Sequence, residues 1–427
     1  MLPHVVTDIP GPRSRELATK LRTHESRNVT FIAEDWPVFW ERAEGTNVWD
    51  ADGNRFLDLT SAFGVASLGH SNAAVREALV AQAGSLMHAM GDVHPTAVKT
   101  ELCARLSALT FERWNLGAGK VILGNSGFEA VEAALKTSLL HTGKPGVIAF
   151  AGGYHGLGFG AVAATGLAFF REPFRALLKD FATFVPFPQN ADALESLRSQ
   201  IESVIASRKV GCILVEPVQG RGGCVVPPRE FLPMLRAICD AHKILLIADE
   251  IYTGFNRTGA LFACEYFGVA PDLICLGKAL TGGFPLSACV GRADVMDAWP
   301  ESSGEALHTS TFLGNPLGCA MALASLAAHA YPQVAAQVRE RGAKLQAALK
   351  TLSLGEVRGL GLMLGIALVK TNGDPDGERA IAIVKAALRG GLLLLADGPA
   401  SNVLSFAPPF TIDDAEITFV ARTLAES

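Results

Sequence analysis

Residues 244–278 read ILLIADEIYTGFNRTGALFACEYFGVAPDLICLGK. Two short apolar runs, ILLIA and LICL, stand at its ends, the first followed at once by Asp249 and the second, after one glycine, by Lys278. Runs of about five apolar residues with no polar alternation fit strands buried on both faces, the kind found in parallel sheets covered by helices. They predict strands at 244–248 and 272–276. Working outward, further strands are expected at 120–124, 146–150, 181–186 and 212–216, with helices at 126–141, 191–207 and 229–241. This alternation predicts an α/β fold with a mostly parallel central sheet over residues 65–315.

The flanks have a different texture. Residues 12–23 predict a short helix, 48–58 (VWDADGNRFLD) two strands about an Asp-Gly turn, and 72–83 and 97–109 helices. Past Pro316 the chain is rich in Ala and Leu to about 350, which predicts one or two long helices. VRGLGLMLGIALV, a helical stretch to Arg389, LLLLAD, VLSFAPP and a last helix from Asp413 then suggest a small α/β domain. The expected organisation is an N-terminal segment, 1–64, sharing a small domain with 316–427, around a large domain, 65–315.

Composition excludes several classes of function. Lys and Arg number 37 against 42 Asp and Glu, a net charge of −5 with no basic block, so a nucleic-acid partner is not expected. The apolar runs fall far short of the ~18–20 residues that cross a bilayer, so no membrane span is expected. MLPHVVTDIPGPRSR has no cationic region followed by an apolar stretch and a cleavage site, and a cytoplasmic location is expected. The eight cysteines are scattered with no two closer than 11 positions, so they form no zinc or redox motif; no metal is expected, and they read as reduced core residues. A mean hydropathy of +0.28 with 19% charged residues predicts apolar surface buried between subunits.

Familiar catalytic signals are missing: no P-loop, HExxH, GxSxG or correctly spaced GxGxxG occurs. What remains is a set of polar residues at the C-terminal ends of successive strands, Glu216, Asp249 and Lys278, the sheet edge where open α/β folds bind ligands. A strand-end acid often only caps the next turn. Lys278, however, precedes ALTGGFPL, an apolar and glycine-rich setting in which desolvation lowers an amine's pKa and makes it nucleophilic. In LGNSGFEAVEAALKTSLLHTGK (123–144), Ser126 and Glu129 form a capping-box pattern, and glycines 124 and 127 let the first N–H groups of the helix approach an anion. An amine, a carboxylate and a phosphate cup are what pyridoxal 5′-phosphate asks of a protein.

With those residues stand YHG (154–156), EPVQG (216–220), DEIYTGFNRTG (249–259), GKALTGGFPLSA (277–288) and HTSTFLGNPLGCA (308–320). Together they resemble the class III aminotransferases, the fold-type I pyridoxal-phosphate enzymes that include ornithine and 4-aminobutyrate aminotransferases, over residues 37–409. The resemblance implies that Lys278 forms the Schiff base and moves a proton, and that Asp249 pairs with the pyridinium nitrogen. It implies that Tyr154 stacks on the cofactor ring with His155 along the same edge and Tyr252 near the other face. Backbone amides of Ser126, Gly127 and Phe128 would bind the phosphate, and Thr311 would reach the phosphate of the neighbouring subunit in a homodimer with shared active sites. Glu216 and Gln219 would shape the region near the cofactor's 3′-oxygen, although Glu216 reads equally as a structural strand-end acid.

This chain departs from the family pattern in several places. Phe128 replaces a small or hydroxylated residue, and Asn256 stands where many members have Gly, a left-handed turn that Asn tolerates. Ser405 occupies the place of a carboxylate-binding Arg, Arg221 the place of the Glu that screens it, and Phe63 joins these two as a substrate residue. Arg221 reads either as an anchor for a substrate carboxylate or as a solvated loop charge. The resemblance implies an aminotransferase moving an amino group from an amine or ω-amino compound to a 2-oxo acid or aldehyde by a ping-pong cycle. An aminomutase like glutamate-1-semialdehyde aminomutase, or a racemase, is the alternative on the same scaffold. A ligand-binding protein without catalysis is disfavoured by the presence of both Lys278 and Asp249.

Overall fold

The computed structural model describes residues 1–426, and its chain divides into two compact units. The larger, Ala73–Ala336, is built on a seven-stranded sheet. Its strands lie in the order Gly119–Gly124, Ser287–Arg292, Leu273–Leu276, Leu245–Asp249, Val210–Val215, Gly146–Phe150, Ala182–Val185. Ser287–Arg292 runs antiparallel to both its neighbours and the remaining strands are mutually parallel. This reversed strand is absent from the sequence reading, because SACVGR has small residues and no apolar run to announce it.

The middle strands are buried along their whole length, as their unbroken apolar runs require. Cys212, Leu214, Leu245, Ile247, Leu273, Cys275 and Cys289, which follow the two-residue period of one sheet face, cluster with Ala130, Val131, Ala133 and Ala134 of the helix Gly127–Thr142. The helix Phe231–His242 packs on Val210–Val215 and Leu245–Asp249 through an apolar stripe including Phe231, Leu235 and Ile238. Burying each such large side chain contributes about 1.5–3 kcal/mol. Pro316–His329, read above as the start of the C-terminal domain, packs against Ala73–Ala83 and Ala97–Leu109 inside this larger unit. Chain contacts divide near residues 72 and 336, not at 64 and 315, because this helix buries Cys319, Met321, Ala322 and Leu326.

The smaller unit joins Met1–Asn72 to the chain from Gln337 onward. Leu392–Leu393 adds parallel to Arg55–Asp58 at the edge of the antiparallel strands Trp40–Glu44, Asn47–Asp50 and Arg55–Asp58. A second four-stranded sheet is ordered Glu356–Leu360, Met363–Ala367, Val403–Phe406, Leu395–Asp397. The last helix, Asp414–Ala425, starts from a complete capping box: Asp413 accepts from the Glu416 N–H at 2.8 Å and Glu416 from the Asp413 N–H at 3.1 Å. Among the described residues no helix is long and apolar enough to cross a membrane, and no cluster of His, Cys, Asp and Glu could hold a metal ion. All eight cysteines are free thiols, seven of them buried.

Candidate active site

The parallel strands deliver their C-terminal ends to one cavity of about 370 Å³ in the larger unit. Gly127, Phe128, Tyr154, His155, Gly156, Leu157, Glu216, Arg221, Asp249, Ile251, Tyr252 and Lys278 line it. Nine of these are residues that the sequence singles out. Three are not: Leu157 and Ile251 are apolar walls, and Gly156 is a contact point for Phe128. Ile251 was legible as the residue two positions beyond Asp249.

Asp249 ends its strand buried, with one carboxylate oxygen 2.8 Å from His155 Nδ1 and the other accepting the Ile251 N–H at 3.1 Å. His155 is buried too, and its backbone N–H donates to Thr165 Oγ1 at 3.1 Å. The imidazole thus fixes the direction of the carboxylate, a pairing that no sequence spacing announces. Lys278 sits in the left-handed region with φ of 45°, an unfavourable backbone for a residue with a Cβ. Its Nζ lies 3.9 Å from the centroid of the Tyr252 ring, a cation–π distance.

Glu216 braces two loops. Its carboxylate accepts the Tyr154 N–H at 2.7 Å and the Gly220 N–H at 3.0 Å. Burial pushes its carboxyl up to about 7, with Asp249 acting in the same direction and His155 and the two N–H donors opposing. Gln219 adds a second tie, donating from Nε2 to the Ala151 carbonyl at 2.8 Å. Tyr154 packs edge-on to Phe170 with ring centroids 5.2 Å apart, and the Arg221 guanidinium carbon stands 5.8 and 5.7 Å from those two rings. Burial raises the Tyr154 phenol above its ordinary value, while the Arg221 charge opposes that rise.

At the start of the helix Gly127–Thr142, Glu129 accepts from the Ser126 N–H at 3.1 Å and from the Asn125 N–H. The Glu129 N–H is taken by the Ser126 carbonyl at 3.0 Å, so the Ser126 hydroxyl is buried without a hydrogen-bond partner. The Ser126 amide is engaged by Glu129, and its hydroxyl is the group left over. The next N–H groups, of Gly127 and Phe128, have no intrahelical acceptor by the geometry of a helix start, and both residues line the cavity. A Cβ on Gly127 would come within 3.0 Å of Ile251, which keeps this approach open to a residue without a side chain. Phe128, in place of a small residue, lies on the YHGLG loop: a Cβ on Gly156, where φ is +112°, would meet its Cβ at 2.5 Å. An orphaned hydroxyl, a helix N-terminus, a buried carboxylate and a lysine around one cavity fit a phosphorylated pyridine aldehyde.

Other residues of interest lie elsewhere. Thr311 is exposed and does not line this cavity; its loop is tied back where Asn125 Nδ2 donates to Ser310 Oγ at 3.1 Å and Thr309 Oγ1 to Asp92 at 2.7 Å. Asn256 adopts the expected left-handed backbone, φ 68°, and its amide donates to the His329 carbonyl at 2.9 Å. Phe63 and Ser405 belong to the smaller unit, Phe63 exposed on a turn and Ser405 buried on Val403–Phe406 opposite Gly365 and Leu395.

Comparison with known proteins agrees with this geometry. The family model described as aminotransferase class-III matches residues 31–426. The chain is 36% identical to a 4-aminobutyrate aminotransferase of Mycobacterium leprae, across 96% of this chain and 94% of that one. It is also 36% identical to a 5-aminovalerate aminotransferase of Pseudomonas aeruginosa, across 92% and 94%. A crystal structure of an amine transaminase from an uncultivated Pseudomonas species, in its PLP-bound form, superimposes with a TM-score of 0.86 at 29% identity, covering 94% of this chain and 97% of that one.

Proposed function

The chain belongs to the class-III aminotransferases, PLP-dependent enzymes of fold type I that act on small amine and carbonyl substrates, and on that premise we propose the roles its own residues play. The reading rests on one observation: Lys278, Asp249 and Glu216, from the ends of three adjacent parallel strands, line one cavity with the first residues of a helix. When bound, pyridoxal 5′-phosphate supplies a carbonyl to take the amino group and a ring that accepts electrons.

Lys278 Nζ is the amine that anchors the cofactor and the base that carries the proton from the substrate carbon. Asp249, held by His155, keeps a proton on the ring nitrogen, and its burial strengthens that contact. Tyr154 and Tyr252 bound the ring. The N–H groups of Gly127 and Phe128 and the Ser126 hydroxyl hold the phosphate. Glu216 sets the position of Tyr154 through the backbone bond at 2.7 Å. Phe63, Arg221 and Ser405 are assigned to substrate.

The donor is an amine or ω-amino compound, and the amino group passes to a 2-oxo acid or aldehyde in a ping-pong cycle. Support comes from the 4-aminobutyrate and 5-aminovalerate enzymes among the relatives and from Ser405, which offers no guanidinium fork to an α-carboxylate. Arg221 lines the same cavity as Lys278 and stands against Tyr154 and Phe170, and it receives a carboxylate on a longer substrate or on the acceptor. We assign a homodimer in which Thr311 reaches the partner's phosphate; exposed Met87, Met90, Val93, Leu307 and Phe312 support a buried interface on the larger unit. We also assign a cytoplasmic location, on the scattered spacing of the eight cysteines, which matches no disulfide framework.

Borohydride reduction of the holoenzyme followed by peptide mapping tests the central assignment: the label is expected on Lys278, and label on any other lysine refutes it. Lys278→Ala is expected to fold and to lose at least a thousandfold in kcat, in line with removing an essential base.

A further inference from the structure

Lys278 meets an aromatic face inside the larger unit. Its Nζ stands over the Tyr252 ring, 3.9 Å from the centroid, and both residues are half-buried in the lining of the same cavity. The negative face of a phenol ring attracts an ammonium and has no such pull on a neutral amine, and the attraction grows as water is withdrawn. Desolvation acts on a lysine in the opposite sense and favours the neutral amine. The Tyr252 ring therefore opposes the one effect that the apolar sequence around Lys278 implies.

Both partners are held from behind. On the lysine side the left-handed backbone at Lys278 is pinned where the Leu280 N–H donates to the Gly277 carbonyl at 2.9 Å and the buried Ser325 hydroxyl to the Ala279 carbonyl at 2.8 Å. On the ring side the anchor is Glu250, fully buried and outside the cavity lining. Its backbone N–H donates to the Cys275 carbonyl at 3.0 Å, and its carbonyl accepts the Gly254 N–H at 2.9 Å. Its carboxylate accepts the Ala263 N–H at 2.9 Å, the Cys264 N–H at 2.6 Å and the Thr253 hydroxyl. Burying a carboxylate is costly unless its oxygens are hydrogen-bonded, and here every one of these donors comes from the loop that carries Tyr252 or from the chain that follows it. Glu250 thus closes residues 250–264 into one fixed loop.

We propose that Tyr252 is a catalytic residue acting on Lys278, its ring receiving Nζ as an ammonium whenever the lysine is not bonded to the cofactor, and that Glu250 is the positioning residue that holds the ring there. In the proton transfer the lone pair of Nζ takes the proton from the substrate carbon and the C–H electron pair stays with that carbon. The ring steadies the charge left on Nζ until the proton is returned. The inference rests on the assignment of Lys278 as anchor and base. It goes further in naming what governs the proton on Nζ, and in giving that control to a residue, Glu250, that lies outside the cavity.

The test is the titration of Lys278 itself, followed by NMR in the cofactor-free full chain carrying lysine labelled with carbon-13 at Cε, with the Lys278 signal assigned by its loss in Lys278→Arg. Tyr154, His155, Glu216, Arg221 and Asp249 also face the cavity and act on this titration, and they are common to every variant compared. Tyr252→Leu is expected to lower the midpoint by about 0.5–1.5 pH units, and Tyr252→Phe, which keeps the ring and loses the hydroxyl, to stay within about 0.3 units of the parent. Glu250→Gln, whose amide nitrogen meets an N–H that the carboxylate accepted, is expected to lower it in the same direction. The double variant with Tyr252→Leu is expected to fall no further than Tyr252→Leu alone. Thr253→Val, which removes a single donor to Glu250, carries this arm with the same expectations if Glu250→Gln does not fold. A Tyr252→Leu midpoint equal to the parent's, a Tyr252→Phe midpoint as low as that of Tyr252→Leu, or additive falls in the double variant overturn the inference while borohydride label on Lys278 leaves the anchor in place. Label on another lysine overturns the anchor and the inference together.

Discussion

Replacing Glu216 by Gln should remove a pH dependence built into the fold. The carboxyl is buried, and its ionised form is opposed by burial first and by Asp249 next, so its titration moves from 4.5 to about 7. Below pH 4.5 the group is protonated in both the folded and unfolded chain and has no differential effect. Between 4.5 and 7 the folded chain holds a proton that the unfolded chain has released, so the stability contributed by the neutral form is lost as pH rises through the window. A rise of that size corresponds to about 3 kcal/mol by the conversion of roughly 1.4 kcal/mol per pH unit. Gln has nearly the same shape and does not titrate. Urea unfolding of the cofactor-free protein, with the parent and Glu216→Gln measured side by side from pH 4.5 to 8, isolates the term because every other group is common to both. The parent should lose about 3 kcal/mol relative to the variant across that range, with the two curves becoming parallel above pH 8. Parallel curves throughout would refute the reasoning and mean that the Tyr154 and Gly220 N–H groups offset the desolvation.

Three further outcomes are expected. Thr311→Ala should weaken cofactor retention about 10- to 100-fold, the loss of one hydrogen bond to a charged group, and mixing it with Lys278→Ala should restore activity in hybrid dimers; equilibrium dialysis and assay after subunit exchange check both. Arg221→Ala should raise KM for the 2-oxo acid about tenfold or more while the rate of the donor half-reaction, followed by cofactor absorbance, stays close to the parent's. Gly156→Ala should destabilise the fold by about 1–3 kcal/mol in urea unfolding, because the new Cβ meets the Phe128 Cβ at 2.5 Å on a backbone with φ of +112°; adding Phe128→Ala, which keeps that Cβ, should recover little of the loss.

What could be read from the sequence followed the strength of local patterning. Strands such as Val210–Val215 and Leu245–Asp249 announced themselves because burial on both faces leaves an unbroken apolar run. The same logic placed Glu216, Asp249 and Lys278 on one edge. Ser287–Arg292 escaped because its pairing on both sides depends on tertiary neighbours, and its small residues pack under strands that supply the bulk. The capping box at the start of Gly127–Thr142 was legible from S-x-x-E, whereas the burial of the Ser126 hydroxyl depends on tertiary neighbours that no local spacing announces. His155 against Asp249 and the left-handed turn beneath Phe63 lie beyond any periodicity, since the first joins residues 94 positions apart and the second runs against ordinary backbone preference.

The smaller unit is assembled from both ends of the chain, and this orders events in time during synthesis. Leu57 finds its parallel partner in Leu392, and the sheet that holds Arg55–Asp58 has no fourth strand until that residue has left the ribosome. At roughly 5–20 residues per second the wait is about 20 to 70 seconds. During it the whole of Ala73–Ala336 emerges as one uninterrupted stretch able to close its own sheet. The first strands to be made are therefore among the last to be completed, and their open edge is what a nascent chain of this enzyme must shield for longest.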